Sequence, residues 1–308
     1  MGRRVDVKVG FNCNNYCKFC VQGDKRDRYE DKPTKRVKEI IKEARENHDR
    51  IVFTGGEVTI RNDLPELVKH ANDLGFKNIQ IQSNGRRFAY RSYCRKIIES
   101  GANDFGFAIH GPNPEIHDNL TGAEGSFSQT TMGVKNLVSM GQRVSLNHVI
   151  TKENYKAIPK TADLFIKLGV PQYQLAFIHI NRIVANDKKK IEDLVPKKSD
   201  VIPYVKEGIE KGVAAGINVM TEAIPLCFLG EKYKKFAAEM GQIPDGAVYD
   251  ADFSLEDYAE YRKNEGKKKA EKCKECKYYK ICEGPWKEYP DIFGWGEFIP
   301  VKKDCRDS

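Results

Sequence analysis

The stretch Val5-Asp6-Val7-Lys8-Val9-Gly10-Phe11-Asn12-Cys13-Asn14-Asn15-Tyr16-Cys17-Lys18-Phe19-Cys20 decides the reading. Its first half alternates apolar and polar residues, the period of a strand with one buried face. Its second half carries the Asn and Gly chemistry of a turn and three cysteines spaced C-x3-C-x2-C. Offsets of four and seven also align on a helix face, but the turn residues speak against a helix. The opening residues contain no hydrophobic export signal, so the chain is expected in the cytoplasm, where clustered cysteines ligate metal more often than they form disulfides. Zinc would need a fourth ligand to close its tetrahedron, and the next histidine is only His48. Three thiolates suit a [4Fe-4S] cluster with one iron left open, because four cysteines normally complete it.

Outward from that loop, strand and helix patterns alternate. Strands are expected near Val5 to Val9, Ile51 to Phe53, Ile79 to Ile81, Phe105 to Ile109, Val144 to Ile150 and Tyr173 to Ile180. Helical spacing follows Thr34 and Asn62, both read as N-caps. Gly75, Gly101, Gly141 and Gly169 read as the residues that close helices. Right-handed crossovers would lay the six strands in one parallel sheet or partial barrel, with its chemistry at the C-terminal strand ends. A helix near Ser199 to Ala214 and a short strand Ile217 to Met220 end the regular part. The predicted fold is α/β, a partial (β/α)6 TIM-like barrel over residues 1–222, with a small Cys-rich domain over 223–308.

The chain has 308 residues, 40% of them hydrophobic and 31% charged, with a mean hydropathy of -0.60. No apolar run approaches the roughly 20 residues of a bilayer helix, so no membrane partner is expected. The net charge of +8 steers acidic ligands without specifying one, and the lysine runs at 188–190 and 267–269 read as solvated loops rather than nucleic-acid sites.

Cys13-x3-Cys17-x-Phe19-Cys20 resembles the signature loop of the radical S-adenosylmethionine (SAM) enzymes, its aromatic Phe19 included. The resemblance implies that SAM binds the open iron and that an electron from the cluster cleaves it to a 5′-deoxyadenosyl radical, which abstracts hydrogen from a substrate. It also implies an electron donor such as ferredoxin or flavodoxin. Gly55-Gly56-Glu57 resembles the family's motif for the SAM amino group, where glycines permit close backbone approach and a carboxylate pairs with an ammonium. Ser83 and Asn84, at the third strand's end, resemble the polar lining of that site. The resemblance gives Ser126 a SAM contact, Asn147 the ribose and Ile178 the adenine. His110 could face substrate, but it reads first as a hydrogen-bonded structural histidine. No general base is assigned.

Cys273-x2-Cys276-x5-Cys282 resembles the auxiliary-cluster module called SPASM or, when shortened, twitch. A complete SPASM module would place a cysteine where this chain has Trp286, which implies one auxiliary [4Fe-4S] cluster rather than two. Cys227 is the preferred fourth ligand, with Cys305 competing. A zinc ribbon would use the same spacing. The unligated one of Cys227 and Cys305 is a candidate hydrogen-atom donor, and Cys94 reads as packed in a helix. The leading expectation is a maturase acting on a peptide or protein. The alternatives are radical chemistry on a small molecule (an alcohol, sugar or cofactor precursor), RNA modification, and a non-catalytic iron–sulfur or zinc protein.

Overall fold

Seven strands follow one another in parallel, each hydrogen-bonded to the one before it in the chain. They are β1 (Arg4–Gly10), β2 (Arg50–Gly55), β3 (Asn78–Ser83), β4 (Asp104–Ala108), β5 (Arg143–Ile150), β6 (Gln172–Phe177) and β7 (Asn218–Glu222). This is a computed structural model, and it describes residues 3–180, 187–241 and 246–302. The candidate ligand Cys305 therefore falls outside the described residues.

Helices cross between the strands as the 3.6-residue pattern requires. Val37, Ile40, Ile41 and Ala44 of helix Thr34–Arg45 are all buried, as are Leu64, Leu67, Val68 and Ala71 of helix Leu64–Asp73. Each set turns one apolar stripe to the sheet. The four glycines read as helix closures all adopt positive φ, from 72° to 116°, the conformation that spares a Cβ clash. The two N-caps differ from expectation. Pro33 precedes the first helix, and Thr34 instead donates from Oγ1 to Asp63 Oδ2 at 2.7 Å, while Asp63, one residue beyond Asn62, precedes the second.

Two further strands come from the Cys-rich C-terminal stretch. β8 (Gly246–Tyr249) adds in parallel to the free side of β1, and the two-residue β9 (Ser254–Leu255) pairs antiparallel with β8. The sheet thus stays open, with β7 and β9 as its edges. It nevertheless curves into a partial barrel. Arg4 of β1 feels the charges of Asp104 on β4 and Glu222 on β7, so distant strands face each other across a concave side. The opposite side is packed with Val5, Val7, Ile51, Phe53, Ile79, Ile81, Phe105 and Phe107. Burying this apolar face against the helices is the main stabilising contribution. Among the described residues no helix is long and apolar enough to cross a membrane.

Candidate active site

The three N-terminal cysteines lie in the loop beyond β1, each half-buried, and polar contacts from neighbouring strand ends hold that loop in place. Gly56 N donates to Gly10 O at 2.9 Å and Glu57 N to Asn12 O at 2.7 Å. Arg86, just past β3, donates to Asn14 O at 2.5 Å and to Asn15 Oδ1 at 2.8 Å. Asn84 Nδ2 donates to Asn14 Oδ1 at 2.6 Å. On the other flank Tyr16 N donates to Thr121 O at 2.7 Å and Lys18 N to Leu120 O at 3.0 Å, both at the end of helix Pro114–Thr121. The sequence offered no signal for Arg86 beyond a cation beside a turn.

Burial raises the Cys17 thiol to about 12, and its neighbours Cys20 and Cys13 push it the same way. Burial also raises Cys13, which in addition feels Glu57 and Cys20. Cys13 and Cys17 therefore resist standing side by side as bare thiolates, the state that a bound metal centre relieves. Asn15 N already donates to Cys13 Sγ at 3.4 Å, and Arg26 lowers both Cys13 and Cys17. This donor set fits an iron–sulfur cluster. Among the described residues no three His, Cys, Asp or Glu side chains converge tightly enough to hold a single metal ion. A cluster asks for less convergence, since each thiolate takes its own iron.

The glycine motif works differently from the expectation. A Cβ on Gly55 would stand 2.1 Å from Gly10 O, and one on Gly56 2.2 Å from Asn12 O and 2.4 Å from Phe11 O. Both glycines are thus required by the cysteine loop lying against them. The Glu57 carboxylate turns inward as well. It accepts from Thr59 N at 2.9 Å, Thr59 Oγ1 at 2.6 Å and Ser83 Oγ at 2.8 Å on Oε1, and from Asn84 N at 2.6 Å on Oε2. Four donors nearly fill a carboxylate's capacity, so Glu57 acts as the tie between the ends of β2 and β3.

Ser126 is fully buried, with its hydroxyl donating to Asp118 Oδ1 at 2.8 Å and lying 2.8 Å from Thr121 Oγ1. Its side chain is committed to this cap rather than offered to a ligand. Asp118 also accepts from Gly125 N and Phe127 N, which fixes the start of helix Ser126–Ser139. Asn147 of β5 has a buried Oδ1 with no hydrogen-bond partner. A buried orphan acceptor costs about 1–3 kcal/mol unless a ligand satisfies it, which suits a ribose hydroxyl. Ile178 lies just past β6, wholly buried.

His110 takes the structural role that is its first reading, not that of the weaker catalytic candidate. It is buried, accepts from Val149 N on Nδ1 at 3.2 Å and meets the edge of Phe19 at 4.7 Å between ring centroids. Its ring stacks on His117 at 5.8 Å and lies 6.3 Å from His148. Burial holds His110 well below the ordinary histidine range and His117 and His148 down at about 4. These are neutral packing histidines, and His110 supports the signature loop through Phe19.

The C-terminal cysteines form a second group. Cys227, Cys273, Cys276 and Cys282 line one cavity, together with Pro225, Pro285, Phe298 and Ile299. Burial raises Cys227 to about 12, with further upward pressure from Cys282, Cys276 and Cys273. Val301 N donates to Cys276 Sγ at 3.4 Å. Trp286, which stands where a longer module would have a cysteine, is buried against His179 with ring centroids 3.9 Å apart. Cys94 is buried in helix Arg91–Glu99 and donates to Phe88 O at 3.0 Å.

A curved parallel sheet with a three-cysteine loop at the C-terminal end of its first strand defines a class of enzyme built around an iron–sulfur centre and a small-molecule cofactor. Residues 7–165, just over half the chain, match the model of the radical SAM superfamily, and the chain belongs to that superfamily. It is an enzyme of a family that uses a [4Fe-4S] cluster and SAM. The Fe-coproporphyrin III synthase of Methanosarcina barkeri is 31% identical over 210 residues, which are 67% of this chain and 52% of that protein. The chain thus matches about half the length of this curated relative. Among solved structures, SuiB of Streptococcus suis bound to the precursor peptide SuiA has a TM-score of 0.67 at 17% identity, covering 93% of this chain and 72% of SuiB. The enzyme anSMEcpe with bound AdoMet and the Cp18Cys peptide has a TM-score of 0.62 at 14% identity, covering 97% and 92%. At these identities both are likenesses of fold.

Proposed function

We propose that this radical SAM enzyme carries one auxiliary [4Fe-4S] cluster and modifies a peptide or protein. The cavity lined by all four of Cys227, Cys273, Cys276 and Cys282 carries the proposal, because a complete set of thiolates is what a second cluster requires. It supports Cys227 as fourth ligand and an auxiliary-cluster module within 223–308, from which β8 and β9 depart to extend the sheet beside β1. At the first centre Cys13, Cys17 and Cys20 would hold the SAM-binding cluster, with the backbone of Gly55–Glu57, Ser83 and Asn84 shaping the amino-acid end of SAM and Asn147 receiving the ribose. When bound, the cluster and SAM supply the electron and the 5′-deoxyadenosyl group that abstracts hydrogen. The chain supplies orientation and exclusion of side reactions. An external one-electron donor such as ferredoxin or flavodoxin completes the cycle.

The concave side supports the substrate class. Gln80, Gln82 and Ser145 gather within 4 Å of the position a Cβ on Gly106 would take, and Gln174 is hydrogen-bonded to Glu222. A surface rich in amides suits a substrate that is itself rich in amides. The likeness to two peptide-bound enzymes along more than nine-tenths of the chain points the same way. A second reading, a small molecule such as a cofactor precursor, is favoured by the match to Fe-coproporphyrin III synthase. The test is anaerobic reconstitution followed by SAM, dithionite and either candidate peptides or coproporphyrin substrates. About eight irons per chain, 5′-deoxyadenosine release and a mass change confined to a peptide support the proposal. Modification of the small molecule alone replaces it with the second reading, and zinc in place of the second set of irons removes the auxiliary cluster.

A further inference from the structure

Resting on the auxiliary-cluster reading, we infer that the face of the C-terminal module around the four-cysteine cavity is the docking site for an acidic one-electron carrier protein. Ile299 forms part of the cavity wall and yet is 73% exposed, and Ile281, next to Cys282 in the chain, is 45% exposed. Large apolar side chains in such positions cost hydration and give nothing to the core. Between 263 and 302 the chain has ten lysines against seven acidic residues; Lys267 is buried on Glu283 and Lys274 and Lys277 are ion-paired, while Lys280 and Lys302 are exposed. Lys269 lines the cavity itself.

An apolar centre inside a charged rim is the anatomy of a protein interface. Redox encounters are the small, weak examples, in which complementary charge raises the association rate more than the affinity. The occupant follows from that chemistry. A basic rim selects an acidic partner, and a metal-cluster cavity walled by an exposed residue brings the partner within reach of the electron. A cluster held by Cys227, Cys273, Cys276 and Cys282 would take up the one electron that the reduced carrier gives up, with no bond made or broken. A rival site lies at the signature loop, where Tyr16 and Val21 are exposed and Arg26 stacks on Tyr16 at 4.8 Å.

The test uses the reconstituted full-length enzyme and a reduced flavodoxin, with oxidation of the flavin followed by stopped-flow absorbance. Lys280→Glu combined with Lys302→Glu is expected to lower the second-order rate at least about tenfold at low ionic strength. Raising the salt should slow the wild type and leave the variant nearly unchanged. Ile299→Leu should preserve the wild-type rate, and dithionite should reduce all three proteins alike. An unchanged flavodoxin rate in the double variant overturns the inference. So does a larger loss from Arg26→Glu, or a parallel loss with dithionite. Iron content separates the two levels of the account. A wild-type chain without a second cluster ends the auxiliary-cluster reading itself, whereas a full complement of iron with indifferent docking variants ends only this inference.

Discussion

The two cysteine groups are built on opposite plans. Cys13, Cys17 and Cys20 lie within eight consecutive residues and are fixed by polar contacts from Gly56, Glu57, Asn84 and Arg86. Cys227 joins Cys273, Cys276 and Cys282 from 46 or more residues away, inside a mostly apolar cavity. The first group is held in place by the strand ends of the barrel, and the cluster proposed there would leave a position open for SAM. The second must close a long loop, whose entropy opposes assembly, so the cluster proposed there would contribute folding energy. One group is shaped for chemistry on a cofactor, the other for holding a module together around its centre.

Substitutions that strike each group separately should break the comparison most sharply. Replacing Cys13, Cys17 and Cys20 with Ala is expected to reduce 5′-deoxyadenosine release to the enzyme-free background, measured by chromatography, while leaving about four irons per chain in the second site. Cys273→Ser or Cys227→Ser should also leave about four irons, spare SAM cleavage, and lower the melting temperature by roughly 5 °C or more, because part of the fold depends on that metal.

Two glycines offer the same contrast without touching a ligand. Gly56→Ala places a Cβ against Asn12 O and Phe11 O and should empty the first site of iron. Gly284→Ala, at φ 86° and 2.2 Å from Lys268 O, should empty the second. Each is expected to cost about 1–3 kcal/mol in chemical denaturation. Loss of both clusters from either variant would mean that the sites are not independent.

The smallest effect concerns acidity. His117 and His148 are held at about 4 by burial, so below pH 6.5 the unfolded chain takes up protons that the fold refuses. Stability should therefore fall as pH drops from 6.5 towards 4. His148→Gln should flatten that decline in anaerobic melting curves, and an unchanged slope would remove the histidines as its cause.

Much of this was legible in the sequence because period and punctuation are local. The strands β1 to β6 follow apolar alternation, and the helix ends follow glycine. The cysteine spacing marked both groups that the fold draws together. Partnership was less legible, since it depends on what the fold brings together. Glu57 reads as an ammonium ligand until Thr59, Ser83 and Asn84 are seen to occupy it. Ser126 reads as a cofactor contact until Asp118 takes its hydroxyl. β8 lacked any signal that it would pair with β1, because four residues in a charged segment carry too little period to register.

The most direct measurement is electron paramagnetic resonance of the anaerobically reduced Cys227→Ser, Cys273→Ser double variant, which isolates the N-terminal cluster, before and after SAM is added. Three protein thiolates with one free iron predict a [4Fe-4S] signal whose g-values shift on SAM addition. A [4Fe-4S] signal that SAM leaves unmoved, or one that persists when Cys13, Cys17 and Cys20 are also replaced, would contradict the account.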